Sequence, residues 1–306
     1  MKIIVAGGTG FIGHHVCQHL IQNQHHITVV SRNSGQVRTH SSQDMTIVDW
    51  ETLTKKTEQT TEGVDAFINL AGAPIADARW TSSRKQLLVD SRVETTRRLV
   101  EAIGRVSVKP RVLINASGIG FYGIDDGVTM SEASPRGEGF LAELCEKWEY
   151  EAHRAMELEV QVLCVRIGMV LGSDGGALSK MKTPFKLFAG GPVSPGTQKI
   201  SWIHVHDLTR LMMWLLDTPN LSGPVNAVAP QCVSMNEFCK TLGHALHRPS
   251  WMPVPKFALN LLLGELSEML TTGQHVVPHK IMQEGFHFMY PNLEQALQSL
   301  FGEKSS

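Results

Sequence analysis

Short apolar runs alternate with amphipathic stretches along the first half of the chain. The first run, Ile3–Ala6, precedes a segment in which Ile12, Val16, Leu20 and Ile21 recur at helical spacing. The later apolar runs are Ile27–Ser31, Met45–Val48, Ala66–Leu70, Val112–Ala116 and Val160–Val165, and helical patterns fall at about 81–104 and about 139–158. Strands that alternate with helices are typical of βαβ units, so the sequence predicts an α/β fold with a parallel sheet.

Glycines connect the first strand to the first helix, in the stretch Gly7-Gly-Thr-Gly-Phe-Ile-Gly13. Gly7 lets the chain leave the strand in a tight turn, and Gly10 lets backbone approach a pyrophosphate. Gly13 lets the helix pack closely on the strand. The helix N-terminus offers free N–H groups and a partial positive charge to phosphates. We therefore expect a Rossmann-type doubly wound sheet that binds a dinucleotide. The cofactor-binding residues expected in this loop are Gly7, Thr9, Gly10, Phe11, Ile12 and Gly13.

The end of the second strand indicates which nicotinamide dinucleotide is bound. An NAD site usually has an Asp or Glu here, which accepts a hydrogen bond from the ribose 2′-hydroxyl. This chain has Ser31 followed by Arg32. A guanidinium pairs with a 2′-phosphate that a carboxylate would repel, and it also stacks on adenine. The sequence therefore predicts NADP(H), with Ser31 donating to the phosphate and Arg32 as its counter-ion.

Composition narrows the class of protein. The 306 residues carry a formal net charge of −1 without a basic run, which argues against nucleic acid as the main partner. Apolar runs stay short of membrane-spanning length, and the five cysteines form no CxxC pair. Because the first strand begins at residue 3, we expect no signal peptide. We expect a soluble, cytoplasmic monomer or homodimer that acts on a small molecule and not at a membrane.

The second half of the chain has a different character. From Gly172 to about residue 202 the sequence is irregular and rich in glycine and proline, and such insertions after core strands often carry binding surfaces. We expect an NADP-binding domain over residues 1–220 that includes this substrate-side insertion. A smaller mixed C-terminal lobe is expected over residues 221–306.

Several motifs together resemble the extended short-chain dehydrogenase/reductase superfamily, which includes sugar-nucleotide epimerases and dehydratases. They are Gly7–Gly13, Asn69-Leu-Ala-Gly72, Ala116-Ser-Gly-Ile-Gly-Phe-Tyr-Gly123, Arg166-Ile-Gly-Met-Val-Leu-Gly172 and Trp202-Ile-His-Val-His-Asp207. More narrowly, Phe140–Glu149 and the stretch from Pro253 to Phe286 are similar to the "epimerase family protein" subgroup, which has an extra C-terminal domain. The resemblance extends over essentially the whole chain.

This resemblance implies further site residues. Backbone at Leu70, Ala71 and Gly72 would lie along the cofactor, and Asp49 would face the adenine amine. The remaining implied contacts are Arg92 at the cofactor phosphates or ribose, Val170 beside the nicotinamide, and Ser117 orienting the substrate carbonyl or hydroxyl.

The acid/base tyrosine of that superfamily is missing. Its members use a Tyr-x-x-x-Lys pair on the helix after the fifth strand, where Tyr transfers a proton and Lys binds the nicotinamide ribose. In the matching helix, Glu143 and Lys147 hold these two positions. Either another group protonates the substrate, namely Glu143, Tyr122 or His204, or reductase chemistry is lost or altered. An ion pair between Glu143 and Lys147 is the structural alternative.

Two functions therefore stay open. The first is an NADP(H)-binding, epimerase-like oxidoreductase for a carbonyl or hydroxyl substrate of sugar-nucleotide type. The second is an NADP(H)-binding regulatory or interaction protein without turnover. His204 and His206 share one face of an extended segment, but the sequence indicates no third ligand, so we expect no metal site.

Overall fold

The computed structural model describes residues 1–32 and 45–302, apart from the side chains of residues 58, 59, 125 and 126. Its strands are β1 Lys2–Ala6, β2 His26–Ser31, β3 Met45–Asp49, β4 Ala66–Asn69, β5 Val112–Gly118, β6 Asp125–Met130, β7 Gln161–Ile167, β8 Met169–Leu171, β9 Lys199–Ile200, β10 Trp202–His204, β11 Gly223–Ala227, β12 Val233–Ser234 and β13 Gln274–Val276.

The helices are α1 Phe11–Gln22, α2 Trp50–Lys55, α3 Thr57–Thr61, α4 Ser82–Arg105, α5 Phe140–His153, α6 Gly176–Lys186, α7 Val205–Leu216, α8 Met235–Ala245, α9 Lys256–Leu263, α10 Glu268–Thr271, α11 His279–Gln283 and α12 Leu293–Phe301. Three 3₁₀ turns complete the set: η1 Ile119–Tyr122, η2 Arg154–Leu158 and η3 Gly264–Ser267. No helix in the described part of the chain has the length and apolarity that a membrane span requires.

Seven strands form one parallel sheet in the order β11-β7-β5-β4-β1-β2-β3. The chain builds the sheet outwards from β1 to β3, returns to place β4 on the other side of β1, and then continues outwards to β11. This reversal opens a crevice beyond the carboxyl ends of β1 and β4, where open α/β sheets bind their ligands. The prediction of a Rossmann-type doubly wound parallel sheet is confirmed.

Both faces of the sheet are covered, which explains the uninterrupted apolar runs in the sequence. In β1, Ile3 and Val5 point to the face covered by α1 and α7, where they pack with Val16 and Leu20. Ile4 points to the opposite face, in the cluster built around α4. All five side chains are almost fully buried, and a buried aliphatic side chain of this size contributes about 1.5–3 kcal/mol.

A third apolar cluster joins the C-terminal part of the chain to the insertion that follows β8. Trp202 and Phe185 pack there against Phe238 of α8 and Leu297 of α12. The insertion and the C-terminal helices therefore share one core at the side of the crevice. β11 falls on the C-terminal side of the expected boundary at residue 220, yet it is an edge strand of the main sheet. The division into two domains stays a prediction.

Candidate functional site

The glycine loop after β1 is shaped by two close backbone approaches, at Gly7 and Gly13. Gly7 has φ +80°, in the left-handed region, and a Cβ there would lie 2.7 Å from the backbone of Leu70 and Ala71. A Cβ at Gly13 would lie 2.1 Å from the carbonyl oxygen of Gly7. Gly10 is less confined, because its Cβ would come no nearer than 3.4 Å to that oxygen. The loop thus packs against the end of β4 and leaves Gly10 facing the crevice.

The N-terminus of α1 fits an anionic group. Gly10 is its N-cap residue and brings no side-chain cap for the first amides of the helix, which is unusual because such amides normally find a partner. Thr9 and Gly10 are exposed, and Phe11 and Ile12 are half-buried. Uncapped amides that point into a crevice beside close-packed glycines are the features that a pyrophosphate needs.

Phe11 anchors this loop to the segment that follows β8. A Cβ at Gly175 would lie 2.2 Å from the Phe11 ring, and one at Gly172 would lie 2.6 Å from it. Nearby, His15 Nε2 lies 3.1 Å from the Asp174 carboxylate. The Phe11 ring therefore packs on the glycines of the insertion. The expected cofactor loop and the substrate-side insertion are in direct contact.

The end of β2 lies beside this loop. Ser31 is half-buried and pairs in register with Asp49 of β3, and Arg32 is exposed. Asp49 is the N-cap of α2, where its carboxylate accepts a 2.6 Å hydrogen bond from the Thr52 amide. Hydrogen bonds from Thr52 lower the pKa of Asp49. This cap accounts for Asp49 without a ligand, and its role at adenine stays a prediction.

A buried amide network holds the end of β4. Asn69 Nδ2 donates to Thr96 Oγ1 at 2.8 Å and to Asn115 Oδ1 at 2.7 Å, and Asn69 Oδ1 accepts from the Ala71 amide at 3.2 Å. Trp148 Nε1 also donates to Thr96, at 2.9 Å. These bonds tie β4, β5, α4 and α5 together where the backbone of Leu70 and Ala71 enters the crevice.

Arg92 of α4 is a buried cation that has no carboxylate partner among the described residues. Its side chain is 7% exposed, its Nη1 donates to the Leu88 carbonyl oxygen at 3.1 Å, and its Nε has no partner among the described residues. The guanidinium lies 5.1 Å from the Trp148 ring centre, and a Cβ at Gly72 would lie 2.9 Å from its Cζ. Burial, with a smaller contribution from Arg84, lowers the pKa of Arg92 to about 10. Because a buried charge is costly unless paired, this position fits an anionic ligand.

Ser117 lies at the end of β5 and belongs to a second buried network. Its Oγ donates to Glu149 Oε1 at 2.6 Å, and Glu149 accepts two 2.8 Å hydrogen bonds from Arg166. Arg166 also lies 3.4 Å from the Phe121 ring centre. Burial acts to lower the pKa of Arg166, but hydrogen bonds and the charge of Glu149 outweigh it and raise that pKa. The arrangement fixes η1 above the sheet.

The sequence did not single out Glu149 as a partner of Ser117. One signal was available, because Arg166 interrupts the apolar run Val162-Leu-Cys-Val165 at the end of a strand that is buried on both faces. A charged side chain at such a place requires an opposite charge. Glu149 meets the need because it lies on the same face of α5 as Cys145 and Trp148, all of them buried.

Tyr122 and His204, the other two side chains expected to protonate the substrate, already have hydrogen-bond partners within the protein. Tyr122 is 2% exposed, donates to Asn226 Oδ1 at 2.7 Å, and accepts from Arg166 Nη1 at 3.0 Å. His204 accepts from the His206 amide through Nδ1 at 3.1 Å, and its Nε2 lies 3.2 Å from Ser299 Oγ. Burial lowers the pKa of His204 to about 4. Tyr122 therefore joins η1 to β7 and β11, and His204 joins the end of β10 to α7 and α12.

Glu143 and Lys147 lie on the exposed side of α5. Their side chains form no ion pair with each other and no hydrogen bond with the residues that the structure describes. Neither contacts Ser117, and their catalytic roles stay predictions. Val170 is 8% exposed in β8, where it pairs in register with Ile203. Its place beside the nicotinamide likewise stays a prediction.

Among residues 1–32 and 45–302, no cluster of three or more His, Cys, Asp or Glu side chains could hold a metal ion.

Gly13→Ala and Gly10→Ala should differ in their effect on folding stability. The Gly13 methyl would meet backbone, so we expect a loss of folding stability of about 1–3 kcal/mol or more. Gly10 has φ −79° and room for a methyl group. The free energy of unfolding of Gly10→Ala should therefore lie within about 0.5 kcal/mol of the wild-type value. Urea unfolding measures both. Equal stability of the two variants would contradict the close approach of α1 to β1.

Glu149→Gln should destabilise the protein by about 3 kcal/mol or more, because it leaves the Arg166 guanidinium buried without its counter-ion. The matched control is Glu146→Gln on the same helix, which breaks only an exposed ion pair with Arg136 and should cost less than about 1 kcal/mol. Urea unfolding of the two variants gives the comparison. A similar small loss in both would show that the Glu149 charge is dispensable.

Comparison with known proteins identifies the family. Residues 3–228 match the model of the NAD dependent epimerase/dehydratase family, and residues 254–300 match a domain of unknown function, DUF1731. The epimerase family protein YfhF of Bacillus subtilis is 38% identical over 307 residues, with all of both chains covered. A chloroplastic SDR39U1 homolog of Arabidopsis thaliana is 39% identical and covers 98% of this chain and 86% of its own length.

A solved structure is also similar over the full length. The human epimerase family protein SDR39U1, crystallised with NADPH, superposes with a TM-score of 0.90 at 32% identity. The alignment covers 99% of this chain and 100% of the human one. The resemblance to epimerase family proteins is therefore confirmed, including the C-terminal domain that the subgroup carries. This chain belongs to the NAD dependent epimerase/dehydratase family.

Proposed function

We propose that this protein is an NADP(H)-binding, epimerase-like oxidoreductase that acts on a carbonyl or hydroxyl substrate. The observation that carries the proposal is the uncapped N-terminus of α1 behind Gly7 and Gly13, at the reversal point of the sheet. The NADPH in the human relative is consistent with it.

The choice of NADP(H) over NAD(H) rests on the end of β2. Ser31 and Arg32 stand where an NAD site would have a carboxylate. Arg32 is exposed, so its guanidinium is accessible to a 2′-phosphate. Asp49, the nearest acidic side chain in register, is engaged in capping α2. The edge of the sheet thus favours a cofactor with the extra negative charge.

Each group has a separate task in this proposal. The glycine loop and α1 amides would hold the pyrophosphate, and Arg92 would neutralise anionic charge or bind ribose oxygens beside the end of β4. The nicotinamide supplies hydride transfer when it is bound. Ser117 Oγ donates a hydrogen bond to Glu149, so its oxygen lone pairs can accept one from a substrate hydroxyl. The packing of Phe11 on Gly172 and Gly175 would close the crevice on the insertion side.

The second candidate function is NADP(H) binding without turnover. One observation favours it: Tyr122 and His204 are occupied by internal hydrogen bonds, and Glu143 and Lys147 are exposed. A protein built this way would use the bound dinucleotide for regulation or for docking a partner.

Arg32→Glu should weaken NADPH binding at least tenfold, because repulsion replaces attraction at the 2′-phosphate. NADH lacks that phosphate, so its affinity should change much less. Calorimetric titration of both cofactors measures the effect. Arg98→Glu, at an exposed arginine of α4, is the matched charge control and should bind NADPH as the wild type does. Unchanged NADPH affinity in Arg32→Glu would refute the assignment.

Turnover distinguishes the two functions. Wild-type protein loaded with NADPH should lose the absorbance of the reduced nicotinamide in the presence of a suitable carbonyl compound or oxidised sugar nucleotide. Gly10→Val should abolish this loss, because a branched side chain would stand in the crevice where the pyrophosphate approaches. Tight NADPH binding with no oxidation across a broad panel of both substrate classes would favour the regulatory function.

A further inference from the structure

The face of α5 that meets β5 carries Leu141 and Cys145, one turn apart. A Cβ at Gly120 would lie 3.0 Å from Leu141 Cβ, so Leu141 packs directly on η1. Cys145 Sγ donates to the Gly118 carbonyl oxygen at 3.6 Å and also interacts with Ser117. Both positions therefore border the end of β5, where Ser117 lies.

This face differs from the one that motif spacing suggested. Glu143 and Lys147 are two residues further along α5, and each residue rotates a helix by about 100°. Two residues therefore turn a side chain to the opposite side, which is the exposed side here. In place of a hydroxyl and an ammonium, the inner i,i+4 pair presents an isobutyl group and a thiol. Neither Leu141 nor neutral Cys145 supplies a positive charge.

A positive charge is nevertheless supplied beside the inner face of α5 by Arg92 of the neighbouring helix α4. The Arg92 guanidinium of α4 lies over the Trp148 ring, at 5.1 Å from its centre, and Trp148 follows Cys145 by one turn of α5. The positive charge of Arg92 acts to lower the pKa of the Cys145 thiol, although burial outweighs it and raises that pKa. Gly72 borders the guanidinium on the other side. Arg92 therefore fills the space between the end of β4 and the inner face of α5.

The charge of Arg92 is available to a ligand. Glu149, the buried carboxylate bonded to Ser117, already accepts two hydrogen bonds from Arg166 and one from Ser117. Arg92 forms no ion pair within the described ranges, and its single recorded hydrogen bond goes to a backbone carbonyl. A guanidinium has five N–H donors, so most of its capacity is unused.

We propose that Arg92 supplies from α4 the positive charge that the resembled superfamily takes from a lysine on α5, and that Cys145 occupies the position this lysine would hold. Cys145 is small and neutral, which leaves room for the guanidinium without a second cation. The proposal rests on NADP(H) binding and deepens it. Arg92 is protonated at neutral pH and cannot act as a base, so its role is to bind and orient.

The inference is tested by removing the positive charge of Arg92 from α4 and introducing a lysine at position 145 of α5. NADPH affinity is measured by calorimetry for wild type, Arg92→Leu, Cys145→Lys and the double variant. We expect Arg92→Leu to weaken binding at least tenfold. In the double variant, the new lysine should restore affinity at least fivefold over Arg92→Leu. Cys145→Lys alone should bind no better than wild type, because two cations would then share one pocket. Arg98→Leu, exposed on the same helix, is the matched control and should bind normally.

Two results would overturn the inference: normal NADPH binding by Arg92→Leu, or a double variant that folds but binds no better than Arg92→Leu. Thermal unfolding without NADPH shows which variants fold. Should the double variant not fold, Arg92→Lys and Arg92→Gln provide the test, because the charged variant should keep at least fivefold more affinity than the neutral one. Equal affinities would reject the role of the charge. Absence of NADPH binding in the wild type would instead reject the proposed function itself.

Discussion

Two buried guanidiniums, Arg166 near the carboxyl end of β7 and Arg92 on α4, determine how this crevice is organised. Removing an ion from water costs several kcal/mol unless a partner replaces the lost hydration. Arg166 has such a partner, because Glu149 accepts two of its N–H groups and Phe121 covers its plane. Arg92 has a carbonyl oxygen and the Trp148 ring, but no carboxylate among the described residues. The first arginine therefore stabilises the scaffold, and we propose that the second binds a ligand.

The fold could be predicted because its signals are local and periodic. A parallel strand covered on both faces appears as an unbroken apolar run, as in Ile3–Ala6 and Val112–Ile114. The glycine loop was equally readable, since Gly7 and Gly13 stand where backbone meets backbone and no side chain fits. The edge between sheet and lobe was harder to place. β11 pairs with β7 across a long stretch of sequence, and short strands of this kind have no periodicity that marks the sheet they join.

The catalytic side of the site was less accessible from the sequence. The spacing of Glu143 and Lys147 shows that they share a helix face, but it does not fix which face meets the sheet. The apolar positions Leu144 and Trp148 carry that information, because both are buried in α5, and Leu141 is partly buried next to Leu144. The contact of Ser117 with Glu149 joins residues 32 positions apart. Such a pair follows from the packing of α5 on β5 and β7, which no single segment encodes.

A crystal structure of this protein with NADPH would show whether Arg92 binds the cofactor. We expect the Arg92 guanidinium within hydrogen-bonding distance, about 3 Å, of a cofactor oxygen, with Cys145 beside it. Lys147 and Glu143 should remain in solvent. Arg92 lying away from the dinucleotide, with Lys147 turned inwards to the nicotinamide ribose, would show instead that the lysine of α5 supplies the charge.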